Sequence, residues 1–75
     1  MSPRQPVINA KQLIKALEKK GFKFSRQVGS HAIYKNKDSL RITVPIHGKK
    51  DIATGTLRQI LTDAQISFKE LKELI

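Results

Sequence analysis

Apolar residues recur at helical spacing near the start of the chain. Asn9 is suited to cap the N-terminus of a helix, and Gly21 is suited to end it. The apolar positions between them follow one helical face and are Ala10, Leu13, Ile14 and Leu17. The pattern predicts an amphipathic first helix between these two boundaries. We expect residues 1–8, which precede it, to form a flexible arm.

After this helix the pattern changes to alternation of apolar and polar positions, which is typical of strands half-buried in a sheet. Three such runs occupy residues 22–28, 31–35 and 40–45. The links between them are short and polar, too short for parallel crossovers, so the sequence predicts an antiparallel meander of three strands. In the first run, Phe22, Phe24 and Val28 are expected to face the core. Arg26 falls on that same face and should reach water at its far end.

Helical spacing returns in the last third of the chain. Residues 46–53 form a loop, and Thr54-Gly55-Thr56 then precedes a second apolar stripe, made of Leu57, Ile60, Leu61 and Ala64. Ser67, with Glu70 three residues later, has the spacing of a capping box ahead of a short C-terminal helix. The order predicts an α+β fold in which helices cover one face of a three-stranded antiparallel sheet. Residues 9–75 are expected to form this single domain.

The charge of the chain indicates the kind of partner that the domain binds. The 75 residues carry a formal net charge of +9 and contain no cysteine. Residues 1–60 hold 13 Lys or Arg against 3 acids, a net of +10, whereas residues 61–75 hold 2 against 3. A basic field on the body of the domain favours a nucleic-acid partner. No apolar run is long enough to cross a membrane, and we expect a cytoplasmic protein.

His31 is the residue best placed for chemistry. An unperturbed histidine titrates near pH 6.5, so it can accept and release protons in the cell. RNA carries its own nucleophile, the 2′-hydroxyl beside each phosphate. A base that removes the 2′-hydroxyl proton, with donors for the phosphate oxygens, can therefore cleave RNA. Gly29 would let the backbone approach a phosphate, and Ser30 offers a hydroxyl and an N–H. A surface histidine without a task is the competing interpretation.

Further residues could assist His31. His47 could donate a proton to the leaving oxygen or contact phosphate alongside Lys49 and Lys50, or it could be an ordinary loop residue. Thr56 and Arg58 lie at the start of the second helix, where free N–H groups favour an anion; Thr54 or Thr56 could equally be a plain cap. Contacts to RNA are expected from Arg26, Tyr34, Lys35 and Arg41, with Tyr34 able to stack on a base. No cluster of metal-ligand spacing occurs, and we expect no cofactor.

Four separate blocks of the sequence resemble one known family. They are Leu13-Ile14-Lys15-Ala16-Leu17-Glu18-Lys19-Lys20-Gly21-Phe22, Arg26-Gln27-Val28-Gly29-Ser30-His31, Val44-Pro45-Ile46-His47-Gly48-Lys49 and Gly55-Thr56-Leu57-Arg58-Gln59-Ile60-Leu61. In this order, across about residues 10–70, they are similar to the HicA toxins. The resemblance implies a fold like that of double-stranded-RNA-binding domains, with the order α-β-β-β-α. Many family members have a second histidine directly after the first, where this chain has Ala32.

The resemblance also implies a function. A HicA toxin is one half of a type II toxin–antitoxin pair, an mRNA interferase that cleaves RNA and so arrests translation and growth. The family's catalytic histidine falls on His31, and its Gly-Ser pair falls on Gly29 and Ser30. The implied partners are mRNA as substrate and a HicB-type antitoxin that masks the site. Operator DNA would be bound only through the toxin–antitoxin complex.

Two other functions fit the same residues. A non-catalytic RNA-binding module would use the lysines to bind phosphates and would need no catalytic histidine. An interaction subunit would dock its basic face on an acidic antitoxin and act only through that complex. The second residue of an acid–base pair is also left open at this point, with His47, Tyr34 and a lysine as the candidates.

Overall fold

A computed structural model describes residues 7–75 of the chain. The elements in chain order are α1 (Ala10–Lys19), β1 (Lys23–Val28), β2 (His31–Lys35), β3 (Arg41–Pro45), α2 (Thr54–Ala64) and α3 (Phe68–Leu74). The α+β class and the element order predicted from the sequence are confirmed. In the described part of the chain, no helix is long and apolar enough to cross a membrane.

Helix α1 begins where its capping residues predict. The Asn9 side chain accepts a hydrogen bond from the Gln12 N–H at 2.9 Å, and the Gln12 side chain accepts one from the Asn9 N–H at 3.0 Å. This reciprocal capping box satisfies two N–H groups that a helix start otherwise leaves unpaired. At the other end, the Phe22 N–H donates to the Leu17 carbonyl and the Gly21 N–H donates to the Glu18 carbonyl, both at 3.0 Å. These two bonds end the helix and turn the chain into the sheet.

The core extends further toward the N-terminus than the sequence predicts. Ile8 is only 1% exposed and belongs to the hydrophobic cluster. Its carbonyl accepts a hydrogen bond from the Ile52 N–H at 2.8 Å, and Asn9 forms an isolated bridge with Asp51. Ile8, which the sequence assigns to a flexible arm, is therefore part of the packed domain. Val7 of that expected arm is exposed, and residues 1–6 lie outside the described residues.

The sheet has the strand order β1-β2-β3, and both pairs are antiparallel, as predicted. One face packs against the helices and contributes Ala32, Tyr34, Ile42 and Val44 to the core. Residues of β2 alternate between faces, so His31, Ile33 and Lys35 lie on the opposite face. Ile33 is also buried, although it is outside the core cluster. The catalytic candidate His31 is thus on the face that the core does not use.

The prediction for β1 is wrong in two respects. Every residue of the strand is exposed, and Phe24 and Val28 are each 55% exposed, so neither is a core residue. A bulge also lies between Phe24 and Arg26, which pair with Tyr34 and Ile33 respectively. The bulge places one extra residue in the strand and reverses the alternation. Phe24 therefore shares the helix-covered face, whereas Arg26 and Val28 lie on the outer face. Only Phe22, just before the strand, is buried as expected.

The two C-terminal helices complete the core. Helix α2 packs on β3 and buries its stripe of Leu57, Ile60, Leu61 and Ala64, as the spacing predicts. Helix α3 packs on α1. Its cap is half of the predicted box: the Ser67 hydroxyl accepts from the Glu70 N–H at 3.0 Å. The Glu70 carboxylate instead pairs with Lys20 at 2.6 Å, which ties α3 to the end of α1.

Candidate active site

His31 is the first residue of β2 and follows a two-residue turn. It pairs with Val28 on β1 and with Pro45 on β3, so it lies at one end of the sheet. Gly29 has φ +58°, a conformation that glycine adopts without strain and that two-residue hairpin turns require at their first position. The Gln27 side-chain amide donates to the Gly29 carbonyl at 3.1 Å. The turn therefore fixes the position of the exposed His31 at the start of β2.

Ser30 has a structural role through its backbone. Its carbonyl accepts a hydrogen bond from the Ile46 N–H at 2.6 Å. This bond continues the pairing of β2 and β3 beyond Pro45, which has no N–H of its own to donate. The chain that leaves β3 is consequently held beside His31.

His47 lies in a turn just after that bond. The Lys50 N–H donates to the His47 carbonyl at 3.2 Å, which closes the turn over Gly48 and Lys49. Gly48 has φ +64°, again a conformation that suits glycine. His47, Lys49 and Lys50 are all exposed. The turn presents an imidazole and two ammonium groups to solvent on the loop nearest His31.

The far end of this loop is anchored to the N-terminal segment. Asp51 bridges to Asn9, and the neighbouring Ile52 is buried with its N–H bonded to Ile8. The single ion pair among residues 7–75 joins Lys20 to Glu70, so the Asp51 carboxylate is not salt-bridged to either histidine. Asp51 thus has a fixed backbone and an exposed carboxylate.

These segments enclose an open pocket of about 460 Å³. Its walls come from the ends of β2 and β3, from the β3–α2 loop and from the first turn of α2. The lining residues are His31, Thr43, Pro45, His47, Asp51, Ile52, Ala53 and Thr56. The pocket brings together three of the residues predicted to be functional, namely His31, His47 and Thr56. Such a convergence of titratable and hydroxyl side chains in a concave site is what proton-transfer chemistry requires.

Helix α2 directs its N-terminus at this pocket. The residue before the helix is Ala53, and no side chain caps it. Thr54 and Thr56 are therefore not ordinary N-caps, which was one of the two interpretations of this segment. The positive end of the helix dipole and the N–H groups of the first turn remain without a side-chain acceptor. Arg58 is exposed on the same helix, close in sequence to Thr56. This arrangement favours an anion beside Thr56.

The other predicted site residues lie outside the pocket. Gly29 and Ser30 form the turn before His31, while Lys49, Lys50 and Arg58 flank the pocket on its loop and helix without lining it. The strand register places the three predicted RNA-contact cations on the outer face of the sheet, which is the face of His31. They are Arg26, Lys35 and Arg41.

Tyr34 is not available for stacking on a base. It is 6% exposed and lies on the helix-covered face, where the edge of its ring meets Phe24 with centroids 5.7 Å apart. Burial, and secondarily the nearby Glu18 carboxylate, raises the pKa of the Tyr34 hydroxyl above its usual value. A buried neutral phenol on the opposite face from His31 cannot serve as its proton-transfer partner. Among the three candidates for that partner, the pocket contains only His47.

Sequence reasoning missed two polar residues of the pocket, Asp51 and Thr43. Asp51 carries a signal that could have been used, because it is the single acid between Asp38 and Asp63 in a strongly basic stretch. Thr43 carries none, since a threonine in a strand is expected on structural grounds alone. Within residues 7–75, no three His, Asp or Glu side chains are grouped as the ligands of a metal ion would be.

Comparison with known proteins decides the family. The family model described as the HicA toxin of bacterial toxin–antitoxin systems matches residues 10–66, from the first residue of α1 to just beyond α2. The chain belongs to the HicA toxin family. A search of curated proteins finds no sequence match to the chain. The pocket and all of its lining residues fall within the part that matches the HicA family.

Membership of the HicA family gives the protein a role and a class of partner. It is a toxin of a toxin–antitoxin system, and toxins of this kind act beside a cognate antitoxin. The four sequence blocks that resemble HicA toxins occupy the helix α1, the turn before His31, the loop of His47 and the start of α2. Three of these four blocks meet at the pocket.

Proposed function

We propose that this HicA-family toxin is an endoribonuclease that cleaves mRNA in the pocket shared by His31 and His47. The observation that carries the proposal is the convergence, in one open pocket, of both histidines of the chain with Thr56 at an uncapped helix N-terminus. Imidazoles supply proton transfer near neutral pH, and the helix N-terminus supplies an anion site.

The two imidazoles divide the proton transfers between them. His31 takes the proton from the 2′-hydroxyl, whose oxygen then attacks the adjacent phosphorus. His47, in its protonated form, gives a proton to the 5′-oxygen as the bond from phosphorus to that oxygen breaks. The products are a 2′,3′-cyclic phosphate and a free 5′-hydroxyl. Each proton lost by one group is gained by another, so this step needs no further reactant.

The phosphate must be held while this occurs. Thr56 and the first-turn N–H groups of α2 are suited to bind its non-bridging oxygens, which gain negative charge in the transition state. Lys49, Lys50 and Arg58 flank the pocket, and they add positive charge without occupying it. On the other side of His31, the turn at Gly29 is open to solvent and leaves room for RNA, since a Cβ built on Gly29 would meet nothing within 4 Å.

Asp51 gives the pocket its one negative charge. A carboxylate repels phosphate, so we expect the scissile group to bind nearer Thr56 and the N-terminus of α2 than Asp51.

A cleavage assay with matched variants tests the proposal. Purified wild-type protein, His31→Ala and His47→Ala are incubated with a long single-stranded RNA in EDTA, and new RNA ends are mapped. Lys72→Ala, an exposed residue of α3 outside the pocket, serves as the control. Each histidine variant should lose activity about 10²- to 10⁴-fold, the usual contribution of a general acid or base. Removing His47 should also abolish one limb of a bell-shaped pH profile.

Folded protein that cleaves equally well without His31 would contradict its assignment as catalyst. RNA binding that survives His31→Ala, with no new ends from any variant, would make the protein a non-catalytic RNA-binding module. No growth arrest on expression, with an effect seen only through the complex with its antitoxin, would make it an interaction subunit.

The partner that fits this site is a HicB-type antitoxin that covers the pocket. Such a protein would block RNA from His31, and operator DNA would be bound only through the complex of the two. The substrate mRNA places the action of the toxin in the cytoplasm. Co-expression of an adjacent small acidic protein should restore growth, and the purified complex should not cleave RNA until the antitoxin is removed.

A further inference from the structure

The outer face of the sheet carries a row of three cations. The register places Lys23 opposite Lys35, and Lys35 opposite Arg41, so that one residue from each strand faces the same way. Directly opposed residues in antiparallel strands have Cβ atoms about 5 Å apart, and like charges at such positions destabilise the sheet. All three side chains are exposed. We call this set the cation row.

No salt bridge within the described part of the chain involves the cation row. The three strands contain no acid at all. The one ion pair among residues 7–75 joins Lys20 to Glu70, and it involves none of the three. A row of unpaired like charges, held in register by the backbone, is unfavourable for the free protein. It becomes favourable when an anion binds across it.

The cation row shares its face with His31. Residues of β2 that are two apart point the same way, so His31, Ile33 and Lys35 lie along one line. Four residues of a strand span about 13 Å, which corresponds to roughly four nucleotides of a stacked strand at about 3.4 Å each. Arg26, paired with Ile33, adds a positive charge midway along this line. A strand of RNA whose cut phosphate lies beside His31 can therefore reach the cation row.

We infer that the cation row is a second phosphate-binding subsite, which holds the RNA backbone about four nucleotides from the phosphate that is cleaved. This inference rests on the proposed function. It adds Lys23 to the expected RNA contacts, and it means that the RNA binds along the outer face of the sheet. The alternative surface is the exposed lysine face of α1, which carries Lys11 and Lys15.

A second open pocket, of about 550 Å³, begins at this end of the sheet and includes Lys23 and Lys37. Two of its other lysines are already engaged with α3: Lys19 donates to the Leu74 carbonyl at 2.8 Å, and Lys20 pairs with Glu70. Lys23 and Lys37 are the cations of this pocket that have no hydrogen bond or ion pair within the described residues. Asp38 also lines this pocket, so a longer RNA strand would meet Lys23 and Lys37 there beside one carboxylate.

The test measures binding and does not depend on cleavage. Fluorescence anisotropy is recorded with a labelled RNA dodecamer and a labelled trinucleotide, with every protein carrying His31→Ala so that no RNA is cut. The test variant adds Lys35→Ala and Arg41→Ala. The matched control adds Lys11→Ala and Lys15→Ala, which removes the same charge from α1. Circular dichroism establishes that both are folded.

The test variant should bind the dodecamer roughly tenfold more weakly than the control, and its salt dependence should fall by about 1.4 in log–log slope, or about 0.7 per lost phosphate contact. Its affinity for the trinucleotide, which cannot span the distance, should equal that of the control. Equal dodecamer affinity for both variants would overturn the inference, as would a loss confined to the α1 variant or an equal loss for the trinucleotide. If wild-type protein fails to cleave RNA, the proposed function falls while this binding result still decides the subsite.

Discussion

Replacing Ile8 with alanine tests how the N-terminal segment supports the candidate active site. Ile8 is 1% exposed, its carbonyl receives the Ile52 N–H at 2.8 Å, and Ile52 lines the pocket. The neighbouring Val7 is 66% exposed and makes a natural control. If Ile8 is a core residue, Ile8→Ala should destabilise the whole domain, whereas Val7→Ala should not.

The size of the effect follows from burial. Ile8→Ala removes three carbon atoms, worth about 0.8 kcal/mol each in transfer free energy, and the cavity left behind brings such losses to about 2–5 kcal/mol. Ile8 precedes α1, so its segment can detach while the helix stays folded, which limits the loss to roughly 2–3 kcal/mol. A chain of 75 residues has about 4–11 kcal/mol of stability in all. The melting temperature should therefore fall by roughly 10–20 °C.

The assay is urea unfolding followed by circular dichroism, with wild type, Ile8→Ala and Val7→Ala compared at one protein concentration. The control should stay within about 0.5 kcal/mol of wild type, as exposed substitutions usually do. A change below that level for Ile8→Ala would refute the packing argument and return Ile8 to a flexible arm. RNA cleavage by the same variants, measured well below the melting temperature, shows whether the loop between Asp51 and Ala53 depends on this anchor.

Three further predictions concern single positions. Gly29→Ala should lose about 1 kcal/mol of unfolding free energy because alanine is strained at φ +58°, while Gly29→Asn, which tolerates this conformation, should lose less; urea unfolding measures both. Phe22→Ala should cost about 3–5 kcal/mol and Phe24→Ala below about 1 kcal/mol, since Phe22 is buried and Phe24 is 55% exposed; equal losses would contradict the structure. The raised pKa of Tyr34 means that the folded state retains a proton that the unfolded state loses, so stability should fall as pH rises above about 10, and by less in Tyr34→Phe; unfolding at pH 9 and above 10 compares them.

Local chemistry made most of the fold predictable. Asn9 and Gly21 mark the ends of α1 because capping and helix termination depend on a few adjacent residues. Strand β1 was predicted in the right place but with the wrong burial. The bulge between Phe24 and Arg26 depends on pairing with β2, which the alternation of one strand does not reveal. Ile8 was missed for a related reason, because its partner Ile52 is distant in sequence.

The candidate site was predictable in its parts and not in its assembly. His31, His47 and Thr56 each stand out by residue type and by a neighbouring turn or helix start. Only the structure shows that the three line one pocket. The Ser30–Ile46 hydrogen bond holds the start of the β3–α2 loop beside β2, and the Ile8–Ile52 hydrogen bond anchors its far end to the segment before α1. Tyr34 was misassigned because an aromatic residue in a strand suits a core and a binding surface equally well. The packing of the helices on one face of the sheet determines that the Tyr34 side chain is buried.

Strand β1 has an additional consequence for the behaviour of the protein at high concentration. It is an edge strand, and such an edge offers unpaired backbone groups to any other extended chain. The exposed apolar side chains of Phe24 and Val28 favour association at this edge. The bulge and the charges of Lys23 and Arg26 oppose the pairing of a second strand with β1. The same cations that suit an RNA strand therefore also guard against self-association. Replacing Lys23 and Arg26 together with neutral residues should therefore increase aggregation through the sheet edge.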